Sequence, residues 1–187
     1  MRVYLRRPEL SDGRECLEAA RRSIALHRPW VFPALSLSGW TDYVGRIETP
    51  RHEGFLICRA SDDKVAGVIN LNEIIRGAMD GAFVGYWAFD GMTERGYMTE
   101  GLALVFDHAF GPMDLHRLEV NVQPDNVRSI ALARRLGLNR EGFSPRYLRI
   151  DGEWKDHERW AMVKENWLKA GSSSGVLEQL TRNLSRK

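Results

Sequence analysis

The amino-acid sequence predicts one α/β domain built on a mixed sheet of about seven strands, with helices on both faces. Three observations lead there. Strand and helix patterns alternate only through the middle of the chain, from about Ala82 to Leu136. On either side, apolar runs are joined by short polar turns, Ser61-Asp62-Asp63 and Asp151-Gly152, which pair neighbouring strands as hairpins. The length, 187 residues, suits one domain and is short for two.

Val3 to Arg6 reads as a short first strand. Ser11 and Asp12 offer a helix N-cap, and Glu15 completes a capping box with Asp12, so a first helix is expected to run to about His27. Pro29, Trp30, Phe32 and Pro33 make His27 to Leu37 an aromatic loop, followed by a short helix over Ser38 to Ile47. Gly54 to Ala60, Lys64 to Ile75 and Ala82 to Phe89 are three apolar strand patterns. After the turn Asp90 to Gly96, a helix is expected to about Phe110, because Met98, Leu102, Val105, Phe106 and Ala109 recur on one helical face before Gly111-Pro112. Leu118, Val120 and Val122 alternate with polar residues as in a half-buried strand. Asp125 or Asn126 can cap the next helix, which runs to Leu136 with Gly137 as its C-terminal stop. Arg146 to Ile150 and Trp154 to Val163 form the last hairpin. The domain is therefore placed at 1–168. Residues 169–187 are expected to be a flexible tail, glycine- and serine-rich at Gly171 to Gly175, with a weak amphipathic turn or two over Val176 to Leu184.

Composition excludes several functions. A formal net charge of +2 does not predict nucleic acid or an anionic membrane as the partner. No apolar run is long enough to span a bilayer, and the charged N-terminus does not read as a signal peptide, so the chain is expected in the cytoplasm. Cys16 and Cys58 lie in unlike contexts and read as buried, reduced thiols. No residue pattern suggests a metal site.

Most of the chemical information sits at Thr93-Glu94-Arg95-Gly96-Tyr97-Met98-Thr99, where a strand and tight turn lead into a helix. The first N–H groups of a helix have no partner within it, and the dipole there is positive. A glycine lets the backbone approach a ligand closely. A pyrophosphate fits such a place, although strand–glycine–helix units also occur as plain turns. Neither Gly-x-Gly-x-x-Gly nor Gly-x-x-x-x-Gly-Lys-Ser/Thr is present, which disfavours a dinucleotide or ATP.

This segment resembles the acyl-coenzyme A pyrophosphate loop of the GNAT superfamily of N-acetyltransferases, Gln/Arg-x-x-Gly-x-Gly/Ala, with Gly96 at its centre. Thr93 stands in place of the usual Gln/Arg and Met98 in place of the small residue. The Gly-Tyr-Met-Thr-Glu run resembles the RimJ/RimL-like branch. Further along, Asn126 to Leu138 resembles the family's Asn-x-x-Ser…Leu-Gly-Phe segment, and Glu153-Trp154-Lys155-Asp156-His157 resembles the branch's last hairpin. The likeness covers about Val3 to Trp167.

The resemblance implies a GNAT-like, mostly antiparallel sheet and transfer of an acetyl group from acetyl-CoA to a primary amine. It implies that backbone N–H groups of Arg95, Gly96, Tyr97, Met98 and Thr99 hold the pyrophosphate, and that Trp87, Ala88 and Phe89 bond the pantetheine arm through backbone. Asn126, also a plausible N-cap, would bond the same arm. Ser129 would give a hydrogen bond to the departing thiolate, as a candidate acid, and the backbone N–H near Ala88 would stabilise the oxyanion. The loop with Trp30 and Phe32 would wall the acceptor site. Asn70 and Asn72, on one face of their strand, would face that pocket or a solvent edge. A base is needed because the attacking amine must be neutral. Glu73, Glu119, Asp156, His116 and His157 are all available, and sequence does not choose among them. The acceptor is expected to be a small amine or a protein or peptide N-terminus. Use of succinyl-CoA or a longer acyl donor, a non-catalytic CoA-binding module, and a homodimer all stay open.

Overall fold

The computed structural model describes residues 1–184. Seven strands form one sheet: β1 (Val3–Arg6), β2 (Glu53–Arg59), β3 (Val65–Ile75), β4 (Gly81–Ala88), β5 (Arg117–Val122), β6 (Asn139–Ile150) and β7 (Glu153–Val163). Their spatial order is β1-β2-β3-β4-β5-β7-β6, and β4–β5 is the one parallel pair among antiparallel neighbours. The helices are α1 (Gly13–Arg22), α2 (Ile24–His27), α3 (Leu37–Ile47), α4 (Tyr97–Phe110), α5 (Val127–Arg135), α6 (Lys164–Lys169) and α7 (Ser172–Leu184). The expected mixed, mostly antiparallel sheet is what forms.

Period-two alternation along the strands divides the core in two. Ile57, Ile69, Val84 and Val120 join Leu102, Val105 and Phe106 of α4 and Ile130 and Leu132 of α5 on one face. Leu56, Cys58 and Val68 join Cys16 and Leu17 of α1 and Trp40, Tyr43 and Ile47 of α3 on the other. Both cysteines are free and buried in this second core. Burial pushes the Cys16 thiol up to about 12, which keeps it unreactive. On the first face α4 lies so close to β2 that a β-carbon on Gly101 would fall 2.7 Å from Ile57 Cδ1.

The expected first helix is split. Ser23 Oγ donates to Ala19 O (2.6 Å) and accepts from the Asp90 N–H (2.8 Å), so a tertiary bond interrupts the run between α1 and α2. Asp12 does not close a capping box with Glu15. Its carboxylate accepts from Arg6 Nη1 (2.7 Å) and the Glu9 N–H (2.7 Å), while Glu15 accepts from the Val65 N–H (3.1 Å). β6 begins at Asn139, earlier than the pattern suggests, because register breaks at Arg140/Gly142 and Ser144/Leu148 disrupt its alternation.

The tail also differs from expectation. Rather than a flexible segment, residues 169–184 finish α6 and form all of α7, and only 185–187 of the expected tail lie outside the described residues. Gly171, at φ +82°, ends α6, and α7 starts at once. The cause is tertiary. Asp107 of α4 accepts from Trp167 Nε1 (2.8 Å) and from the Ser173 N–H (3.1 Å). Trp167 and Val176 are buried, and Leu177 and Leu180 pack against the first core.

Candidate active site

The parallel pairing of β4 with β5 ends at Phe83↔Glu119, and beyond it the strands diverge. The wedge opens into a cleft of about 1900 Å³ lined by Val84 to Ala88, Val120 to Gln123, the loop Met92 to Glu100, α5, α2, part of α7 and His157. A diverging strand leaves unpaired backbone groups facing the gap. Their identity follows from the ladder on the other side. The Phe89 N–H donates to Ala66 O (2.9 Å), so with a period of two the amides of Trp87 and Phe89 point at β3, and those of Tyr86 and Ala88, beyond the end of the β4–β5 ladder, point into the cleft. Of Trp87, Ala88 and Phe89, expected to offer backbone to a pantetheine arm, only Ala88 has its amide free for it. Phe89 is buried in the second core, so its part in the contact does not hold. The Ala88 carbonyl is held by His27, whose Nε2–H donates to it at 2.7 Å. Burial lowers the pKa of this imidazole, which favours the neutral form that makes the bond.

At the mouth of the cleft, Gly96 is the N-cap of α4 with φ +82°, a conformation that L side chains rarely adopt. No side chain caps the helix, so its first N–H groups, from Tyr97 to Thr99, stay open to an anion. Arg2 reaches this loop from beside β1. Its Nη2 lies 2.8 Å from where a Gly96 β-carbon would be, and its guanidinium sits over the Tyr97 ring at 5.4 Å. The Glu100 carboxylate holds Arg2 there, accepting from its Nε (2.7 Å) and its backbone N–H (2.7 Å). Arg135 of α5 donates to Thr99 Oγ1 (3.2 Å), adding a second cation. The Arg95 side chain is exposed on the rim. Met98 fits because its sulfur occupies the space above Gly67, where a β-carbon would lie 2.8 Å away.

Asn126 caps α5, its Oδ1 accepting from the Ser129 N–H (3.1 Å). Ser129 Oγ lies 2.8 Å from Tyr86 Oη, a pairing across the cleft that sequence did not reveal. Burial raises the Tyr86 phenol to about 12, so it stays protonated and can donate.

The acceptor-wall residues separate. Trp30 lines the cleft; Phe32 is exposed beneath the Arg28 guanidinium and does not. Asn70 is buried and accepts from Tyr43 Oη (2.8 Å), and Asn72 accepts from Arg46 Nη1 (3.0 Å). Helix α3 thus takes up both asparagines, which line neither the cleft nor a free edge. On the same sheet face, Trp87 Nε1 and Asn121 Oδ1, on opposite lips of the wedge, are buried with no hydrogen-bond partner among the described residues. Neither was expected from the sequence. A buried polar atom without a partner is uncommon and costly, about 1–3 kcal/mol.

Comparison with known proteins accords with this geometry. The family described as "Acetyltransferase (GNAT) domain" matches residues 2–139. The chain is 38% identical to a probable N-acetyltransferase, YjcK, of Bacillus subtilis over 66% of its own length and 68% of that protein's. It is 31% identical to the [ribosomal protein uS5]-alanine N-acetyltransferase of Escherichia coli over 70% of its length and 69% of that protein's. Its fold superposes on Mycobacterium smegmatis RimJ in complex with CoA-disulfide with a TM-score of 0.79 at 26% identity, covering 91% of this chain and 90% of that one.

Proposed function

The chain belongs to the GNAT family of acetyltransferases, enzymes that move an acetyl group from acetyl-CoA to an amine, and on that premise we propose that its acceptor is the α-amine of a peptide or protein. The observation that carries this reading is the unpaired couple on the cleft lips. Trp87 Nε1 is a donor without an acceptor and Asn121 Oδ1 an acceptor without a donor. A peptide N-terminus complements both at once, with its amine N–H for Asn121 and its first carbonyl for Trp87. A polyamine offers only donors and leaves Trp87 unpaired. The E. coli relative, named for an alanine of ribosomal protein uS5, supports the same class of acceptor.

The donor side follows from the residues present. The open N-terminus of α4, Arg2 and Arg135 would hold the pyrophosphate, and Arg2 supplies beside Gly96 the positive charge that Thr93 does not. The cleft-facing amides of Tyr86 and Ala88 would bond the pantetheine arm, and that of Ala88 would also stabilise the oxyanion. Ser129, backed by Tyr86, would give the leaving thiolate its hydrogen bond. Acetyl-CoA supplies the activated acyl group, and the fixed cleft supplies alignment, which can account for much of the acceleration.

A thiol-release assay tests this with acetyl-CoA and succinyl-CoA against peptides with free and blocked α-amines, polyamines and aminoglycosides. Release is expected with acetyl-CoA and free-amine peptides only. Trp87→Phe and Asn121→Ala should each raise the peptide KM roughly tenfold, as loss of one bond of about 1.4 kcal/mol requires, and leave acetyl-CoA affinity unchanged. Release with polyamines and none with peptides would remove the α-amine assignment.

A further inference from the structure

Acyl transfer to an amine needs a proton acceptor, and five side chains were available for the role. The fold withdraws four of them, none of which lines the cleft. Glu73 is paired with Arg51, and Glu119 accepts from Arg117 Nε (2.9 Å). Asp156 accepts from the Arg146 N–H (2.7 Å), and His116 faces Glu165 at 3.3 Å in solvent. His157 alone of the five lines the cleft, at 3% exposure.

Its ring is fixed in a form suited to accepting a proton. Nδ1 lies 2.9 Å from Lys155 O, and a carbonyl only accepts, so Nδ1 carries the hydrogen and Nε2 carries the lone pair. Nε2 has no hydrogen-bond partner among the described residues. Tyr147 of β6 meets the ring edge-on at 6.2 Å and limits its rotation. Alternation along β7 puts His157 on the same face as Arg159, and Arg159 pairs in register with Asn121, whose carbonyl is unpartnered. His27, the other cleft imidazole, is different: it uses its Nε2–H to hold Ala88 O.

We propose that His157 is the general base of the acyl transfer, its Nε2 taking the proton that the acceptor amine sheds on attack. The proposal rests on the N-acetyltransferase reading above. The amine nitrogen's lone pair forms the N–C bond to the thioester carbonyl carbon. The C–S bonding pair leaves on sulfur. The nitrogen's proton passes to His157 Nε2 and from there to solvent, and the thiolate leaves against the Ser129 hydroxyl's hydrogen bond and takes its proton from solvent. The products are an amide and the free thiol. Burial lowers the His157 pKa below the ordinary imidazole value, so the base is neutral at physiological pH. The charged groups on its own strand are Glu153, Lys155, Asp156, Glu158 and Arg159. From β6 it meets Tyr147, and Ser144 is its register partner; the nearest side chain of β5 on this face is the uncharged Asn121.

The test compares the whole wild-type chain with His157→Gln and His157→Ala in kcat/KM against pH, acetyl-CoA affinity by calorimetry, and rescue by added imidazole. Both variants should lose roughly 10²- to 10⁴-fold in kcat/KM and bind acetyl-CoA within about twofold of wild type. The wild-type acid limb below about pH 6.5 should vanish in both, and imidazole should restore His157→Ala. A variant with wild-type kcat/KM, or one that loses activity yet keeps the acid limb and is not rescued, overturns the proposal. Peptides and polyamines are run side by side. If wild type acetylates only the polyamine, the acceptor assignment falls and His157 is judged on that amine. If wild type acetylates neither while still binding acetyl-CoA, both fall.

Discussion

Gly96 shows how one residue shapes the mouth of the cleft. With φ at +82°, a side chain there is strained in any surroundings, and its β-carbon would lie 2.8 Å from Arg2 Nη2. Gly96→Asp adds a carboxylate where the pyrophosphate is expected and offers Arg2 a competing partner. Acetyl-CoA affinity should fall at least roughly tenfold, about 1.4 kcal/mol or more, by calorimetry, and unchanged affinity would place the pyrophosphate elsewhere. This residue was legible in the sequence because its requirement is local: a strand, a tight turn and a helix start. Arg2 was not legible. It lies 94 positions before Gly96, and only the packing of α4 on β1 and the buried Glu100 bring it to the loop. His157 stood among five equal candidates in the sequence and is distinguished only by what surrounds it.

At the scale of elements, α4 carries both the uncapped N-terminus at the cleft mouth and the core contact that fixes its position. Its apolar spacing declared the helix, but its closeness to the sheet depends on Gly101, 2.7 Å and 2.8 Å in β-carbon terms from Ile57 Cδ1 and Cγ1. Helix propensity favours any ordinary residue over glycine at this position, yet Ile57 is fully buried and cannot move aside. Gly101→Val should therefore destabilise the fold by about 1–3 kcal/mol, seen as a lowered Tm, and a rise in Tm would show that α4 has room to shift. Helix α7 makes the opposite case. Gly171 to Gly175 has the composition of a linker, and its order comes from partners elsewhere, the Asp107 carboxylate and the apolar face of α4. A local composition rule has no access to them.

At the scale of the whole molecule, His27 and His157 are both buried with lowered pKa values, chiefly through loss of solvation. The unfolded chain then binds protons near pH 6.5 that the folded chain refuses. Their stabilising contribution is full above that pH and shrinks as pH falls through it. Urea midpoints should decline between about pH 7 and 5, and His27→Gln should flatten the decline. An equally steep decline in that variant would assign it to other groups. The sequence by itself determined the fold class, most strand and helix positions, the left-handed glycine turn into α4 and the cap of α5, because each is written in residues close along the chain. Tertiary structure alone decided which β4 amides face the cleft, that Asn70 and Asn72 serve α3, that Tyr86 meets Ser129, and which of five bases looks onto the site. Those depend on strand register and on the divergence of β4 from β5, which join residues distant in the chain and leave no periodic trace in it.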